Sequence, residues 1–173
     1  MGLAENTPTS SRWPRATYEA ICTEERTAED AIARALFIAS TRNPQSSPEI
    51  IGFALFCAIS TTGGGECDLE NMVVANDCRR QGIGRRLLNT GVLWCRTWCS
   101  AAQHLSQDGL RSREGERPDV ALWLEVRASN RNAIAFYENA GLHISGRRTG
   151  YYAQPTEDAV LMTASLRDLT SAC

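Results

Sequence analysis

Two short stretches of this 173-residue chain place side chains at spacings that chemistry can use. The first is Arg79-Arg80-Gln81-Gly82-Ile83-Gly84. It follows the apolar run Leu69-Glu70-Asn71-Met72-Val73-Val74-Ala75. It opens a segment in which Ile83, Leu87, Leu88, Trp94, Cys95 and Trp98 recur at helical spacing. The spacing predicts a strand, a tight loop and a helix N-terminus. Such a junction presents backbone N–H groups without partners, and the helix dipole adds partial positive charge, which suits an anion such as a pyrophosphate. Gly82 and Gly84 let the backbone approach phosphates with no Cβ in the way. Arg79, Arg80, Arg85 and Arg86 add cationic donors. The stretch has neither the three-glycine dinucleotide fingerprint nor the G-K-[ST] of a P-loop. A plain turn flanked by solvated arginines is the competing reading.

The second stretch is Leu122-Trp123-Leu124-Glu125-Val126-Arg127. A carboxylate interrupts an apolar strand near its C-terminal end, where open α/β sheets place their sites. Glu125 is either a surface group paired with Arg127 or a functional base. Downstream, helix periodicity puts Asn130, Ile134 and Tyr137 on one face, with Tyr137 ~10 Å from Asn130. Tyr137 is either a packed core aromatic or a proton donor. Asn130 either caps the helix or bonds a ligand.

The pattern Arg79-x-x-Gly82-x-Gly84 resembles the acyl-CoA pyrophosphate loop of the GCN5-related N-acetyltransferase (GNAT) superfamily. Leu124-Glu125-Val126-Arg127-x-Ser129-Asn130 carries a narrower resemblance. It is joined by Ala133-x-x-x-Tyr137-x-x-x-Gly141-Leu142, Arg148-x-x-Tyr151-Tyr152 and Glu157-Asp158-Ala159. These blocks are similar to those of RimI-type ribosomal-protein alanine N-acetyltransferases, over roughly residues 50–166. The resemblance implies a GNAT fold of the α/β (α+β) class: a mixed, mostly antiparallel sheet with a central parallel pair splayed apart and helices on both faces. It implies acetyl-CoA as co-substrate, bound by Arg79, Arg80, Gln81, Gly82, Ile83, Gly84 and Arg85, by backbone groups of Met72, Val73 and Val74, and by Asn130. It implies Glu125 as general base and Tyr137 as general acid. The implied acceptor is the N-terminal alanine of a ribosomal protein. Transfer to lysine side chains or small amines, and a non-catalytic acyl-CoA sensor, are the alternatives.

Amide formation from a thioester needs a neutral amine, donors for the oxyanion and a proton for the leaving thiolate. A phenol that titrates near ~10 can return a proton to a thiolate whose thiol titrates lower. An α-amine titrates near ~7.8 and a lysine near ~10.4, so freeing the α-amine at pH 7 costs about 3.5 kcal/mol less. Tyr151-Tyr152 with Glu157-Asp158 would shape an acidic, aromatic groove for a basic N-terminal peptide. The alternative for the two tyrosines is a strand end packed on the sheet.

The elements that must position these residues follow from the rest of the chain. A length of 173 residues with 43% hydrophobic and 22% charged residues indicates one soluble domain, expected over residues 12–168 behind a disordered tail, 1–11. The net charge of −2 gives no field for nucleic acid, and all 18 basic residues are arginine, which excludes a lysine nucleophile. No apolar run reaches the ~18 residues of a membrane span, and no secretion signal opens the chain, so a cytoplasmic location is expected. The seven cysteines are odd in number and lack zinc-ligand spacing. We therefore expect no metal and read Cys95 and Cys99 as small core hydrophobes.

Helices are expected at 14–25, 83–103 and from Ser129 or Asn130 to Gly141. Strands are expected at 33–39, 50–59, 67–75, 120–126, 142–148 and 158–166. Turn chemistry at 43–48 makes the first two strands a hairpin, and Gly63-Gly64-Gly65 forms the next turn. The apolar strand 120–126 reads as buried on both faces. Residues 104–119 read as a polar surface loop. The implied fold normally begins with a further strand and helix ahead of Trp13, so either the first strand is missing or the recorded start lies too far downstream.

Overall fold

A computed structural model describes residues 15–23, 32–42, 45, 47–61, 64–105 and 119–170. In chain order the elements are α1 (Arg15–Thr23), β1 (Ile32–Ser40), β2 (Ile50–Thr61), β3 (Gly64–Val74), a 3-10 turn (Asn76–Cys78) and α2 (Ile83–Leu105). Then come β4 (Val120–Arg127), α3 (Arg131–Glu138), β5 (His143–Ala153), β6 (Thr156–Ser165) and a 3-10 turn (Asp168–Thr170). The strands form one mixed sheet in the order β1-β2-β3-β4-β6-β5. All neighbours are antiparallel except β3 and β4.

Strand alternation sorts the side chains between two faces. Ala54, Phe56 and Ala58 of β2, Cys67 and Leu69 of β3, and Leu122, Leu124 and Val126 of β4 join Leu87, Leu88, Val92, Cys95 and Cys99 of α2 in one core. Gly91 sets how closely α2 lies on the sheet, because a Cβ there would fall 2.0 Å from the Phe56 ring. On the opposite face Tyr18 of α1 packs edge-on to Phe53 and accepts a 2.9 Å hydrogen bond from the Asn71 amide. Helices therefore cover both faces, as expected.

Asp68 and Trp123 form the last paired position between β3 and β4, which run together only from Gly65↔Val120. The cause of the splay lies in β3. Against β2, Leu55 faces Asn71 while Phe56 faces Leu69, which leaves Glu70 as an extra, bulged residue. A bulge bends its strand, so β3 swings away while β4 stays paired with β6 through Arg127. Met72–Val74 and Leu124–Arg127 end up as the two arms of a V.

Several boundaries differ from expectation. Gly64 and Gly65 are not turn residues but pair with Thr61 and Ser60 at the start of β3, where Gly65 makes room for Cys99 Sγ. Gly63, the other residue of that expected turn, lies outside the described residues. β4 is not buried on both faces: Leu122, Leu124 and Val126 are buried, whereas Trp123, Glu125 and Arg127 lie half-exposed on the other face. α2 extends to Leu105 and takes in His104, and β5 runs on to Ala153. α3 stops at Glu138, and Gly141, at φ 102°, turns the chain into β5. The proposed tail, 1–11, and loop residues 106–118 lie outside the described residues.

Candidate active site

The helix-start loop has the conformation its sequence demands. Gly82 sits at φ 78°, and Arg80 at φ 60° also enters the left-handed region. The first α2 bond runs from the Arg86 N–H to the Gly82 carbonyl at 3.0 Å, so the amides of Ile83, Gly84 and Arg85 have no intrahelical acceptor. A Cβ on Gly82 would meet nothing within 4 Å, since it points into open space. Gly84 differs: a Cβ there would stand 3.6 Å from the Phe136 ring and 3.9 Å from Val74 Cγ2, in the cleft floor. Arg79 Nε donates to the Val74 carbonyl at 3.0 Å and Arg85 donates to the Asn139 carbonyl at 2.9 Å. Those two arginines brace the loop, while Arg80 and Arg86 are exposed on it. The Gln81 side chain turns back to donate to the Asp77 carbonyl at 3.2 Å.

The V and the loop together enclose a cleft of about 570 Å³. Of the residues singled out from the sequence, Met72, Val73, Val74, Arg79, Arg80, Gly82, Ile83, Gly84, Arg85, Glu125, Asn130 and Tyr137 all line it, and Gln81 does not. Asn130 serves as the cap, its Oδ1 accepting from the Ala133 N–H at 3.2 Å, and also borders the cleft. Tyr137 is buried at 7% exposure, and burial pushes its phenol above the ordinary tyrosine range. It therefore holds its proton at neutral pH.

Glu125 lies on the half-exposed face of β4, where a second groove of about 560 Å³ opens. Leu69, Glu70, Leu124, Glu125 and Tyr152 border both spaces, so the two meet at the base of the V. Glu125 is not paired with Arg127. Its carboxylate takes Arg148 at 2.9 Å, and a hydrogen bond with it raises the Tyr151 phenol. Arg127 instead binds Glu157 at 3.2 Å and stacks over the Tyr152 ring at 4.1 Å. The Tyr152 hydroxyl donates to the Glu125 carbonyl at 3.4 Å, and burial, with the Glu125 charge second, pushes its phenol up to about 12.

A groove lined by Tyr151 and Tyr152 is present, but Glu157 and Asp158 do not line it. Glu157 accepts from the Ser129 N–H and Arg127, and these contacts lower its carboxyl. Asp158 accepts from the Gly150 N–H at 2.9 Å. Both tie loops together. The groove's acidity comes from Glu66, Asp68 and Glu70 of β3, which belong to none of the family motifs. Their signal was the alternation in Glu66-Cys67-Asp68-Leu69-Glu70, which puts three carboxylates on one face of a strand. Tyr151 and Tyr152 border this groove rather than merely ending a strand.

Among the described residues no group of three or more His, Cys, Asp or Glu side chains could hold a metal ion. Cys67, Cys95 and Cys99 are buried free thiols, with Cys67 and Cys99 sulfurs 3.9 Å apart. No described helix is long and apolar enough to cross a membrane.

Comparison with known proteins gives this arrangement a family. The acetyltransferase (GNAT) domain family matches residues 33–142, from β1 to the turn after α3. The chain belongs to the GNAT family. A [ribosomal protein bS18]-alanine N-acetyltransferase of Salmonella typhimurium is 41% identical over 99 residues, which are 56% of this chain and 54% of that protein. The chain thus spans about half the length of the curated relatives it matches. The crystal structure of the ribosomal-protein-S18-alanine N-acetyltransferase from Escherichia coli superimposes with a TM-score of 0.60 at 25% identity, covering 95% of this chain and 84% of that one. Arabidopsis thaliana NAA60 in complex with acetyl-CoA gives 0.66 at 16% identity, covering 94% and 88%. That second match is a likeness of fold. The GNAT fold and the RimI-type resemblance expected from the motifs are therefore both found.

Proposed function

We propose that this GNAT protein transfers an acetyl group from acetyl-CoA to the N-terminal alanine amine of a ribosomal protein. The observation that carries the reading is the meeting of two spaces at Glu125: a cleft behind a helix-start loop rich in free amides, and an acidic, tyrosine-lined groove on the other face. The identity to bS18-alanine N-acetyltransferases supports the choice of acceptor.

In this reading the loop amides of Ile83, Gly84 and Arg85, with Arg80 and Arg86, take the pyrophosphate. The side of Met72–Val74 that faces β4, where β3 has no strand partner, lies along the pantetheine arm, and the thioester reaches the base of the V. Glu125 accepts the proton of the incoming ammonium, directly or through water. The freed amine attacks the thioester carbonyl carbon, a C–N bond forms, and the C–S bond breaks. Tyr137, uncharged and buried, protonates the departing thiolate, the nitrogen gives up its second proton as the tetrahedral intermediate collapses, and that proton, through water, restores the Tyr137 phenol. The products are the N-acetyl peptide and CoA thiol.

The test is the rate of CoA thiol release from acetyl-CoA. An alanine-led peptide with the ribosomal N-terminal sequence should accelerate release well above the rate without acceptor. An equal rate with and without peptide would reject the acceptor.

A further inference from the structure

The groove carries four carboxylates, Glu66, Asp68, Glu70 and Glu125, against one cation, Arg148. Glu70 is compensated from outside: Arg34 Nε on β1 stands 3.1 Å from both of its carboxylate oxygens. Glu66 is exposed and Asp68 half-buried. Burial, then the charges of Glu70, Glu66 and Glu125, raises the Asp68 carboxyl against a smaller lowering by Arg34, so the carboxylates on this face repel one another.

The molecule already supplies one cation where an acceptor amine must go. Arg148 reaches from β5 to the Glu125 carboxylate at 2.9 Å, with its side chain 56% exposed. An ion pair this open is worth only ~0–1 kcal/mol, so it parts readily for a competing cation.

Resting on the proposed acetyl transfer, we infer that Arg148 is an internal stand-in for the acceptor ammonium on Glu125. The acceptor that displaces it is a peptide whose alanine is followed by cationic side chains, held by Glu66 and Asp68. Arg148 is thus a positioning residue that keeps Glu125 oriented until a sufficiently cationic chain arrives, and the β3 carboxylates set specificity. Neutral peptides displace Arg148 less well because they bring only the one charge.

Two alanine-led peptides of equal length test this, one with arginines after the alanine and one with glutamines. Wild type should favour the arginine peptide by about tenfold in kcat/KM, the sum of two exposed ion pairs. Replacing Glu66→Gln and Asp68→Asn together should bring that ratio close to one. Arg148→Gln should lower KM for the arginine peptide several-fold, whereas Arg148→Lys should restore the wild-type value. A purely structural Arg148 would instead raise KM for both peptides. Equal kcat/KM for the two peptides in wild type, a preference that survives the double replacement, or a raised KM in Arg148→Gln each overturns the inference while leaving N-terminal transfer intact. Failure of wild type to acetylate either peptide overturns both.

Discussion

Glu125 and Tyr137 approach the base of the V from opposite sides, one on the half-exposed face of β4 and the other buried on α3. Glu125→Gln keeps shape and removes basicity, and Tyr137→Phe removes one proton donor. Each should lower kcat by roughly 10²–10⁴ with acetyl-CoA affinity kept, as read by steady-state kinetics beside calorimetry. Because burial raises the Tyr137 phenol, its acid form persists as pH climbs. Its ionisation should therefore remove no activity between about pH 8 and about pH 10. A falling limb in that window that vanishes in Tyr137→Phe would contradict the assignment. Stability follows the same sign. Above about pH 10 the unfolded chain ionises tyrosines that the folded protein keeps neutral, so Tyr137 and Tyr152 make the fold weaken as pH rises. Glu125, Tyr137 and the glycine loop were legible in the sequence because each belongs to a compact local motif. The Arg148–Glu125 pair was not. It depends on the registers that bring β5 to β6 and β6 to β4, which no local spacing encodes.

At the scale of elements the V is made by one residue. Glu70 bulges out of β3, and beyond that point the parallel pair has no further partners. The apolar run 69–75 announced a strand, but a single residue out of phase leaves no compositional trace. For the same reason the double-sided burial expected of β4 failed: the side chains that would have covered its second face stand across an open groove instead. The seating of α2 depends on Gly91, whose missing Cβ accommodates the Phe56 ring. Gly91→Ala should overpack this contact at a cost of about 1–3 kcal/mol. For a domain of this size that lowers Tm by roughly 2–12 °C, measured by circular dichroism. An unchanged Tm would show that helix and sheet are less tightly registered than the geometry indicates. The helix itself was legible from its periodicity, whereas the Gly91–Phe56 contact needs the packed pair to be seen.

For the whole molecule, the helix-start loop, the V and the groove converge on Glu125 without any one element holding the site. A co-substrate that spans loop and V should therefore stabilise the entire fold. At a concentration one hundred times its Kd, acetyl-CoA should add about 2.7 kcal/mol and raise Tm by roughly 5–11 °C in a thermal melt. Gly84→Val, which fills the cleft floor beside Phe136, should abolish most of that rise. An undiminished rise in the variant would place the co-substrate elsewhere. The mixed sheet with its central parallel pair and the helices on both faces were legible because patterned elements and family motifs run through most of the chain. The acceptor side was not, since it forms from carboxylates on β3 and tyrosines on β5 that are far apart in sequence. The most direct measurement of the central claim is mass spectrometry, with fragment sequencing, of an alanine-led ribosomal peptide incubated with the protein and acetyl-CoA. One acetyl group should be added, on the α-amine, and none to the same peptide with its N-terminus blocked and a lysine left free. Acetylation of the blocked peptide at a comparable rate would contradict that claim.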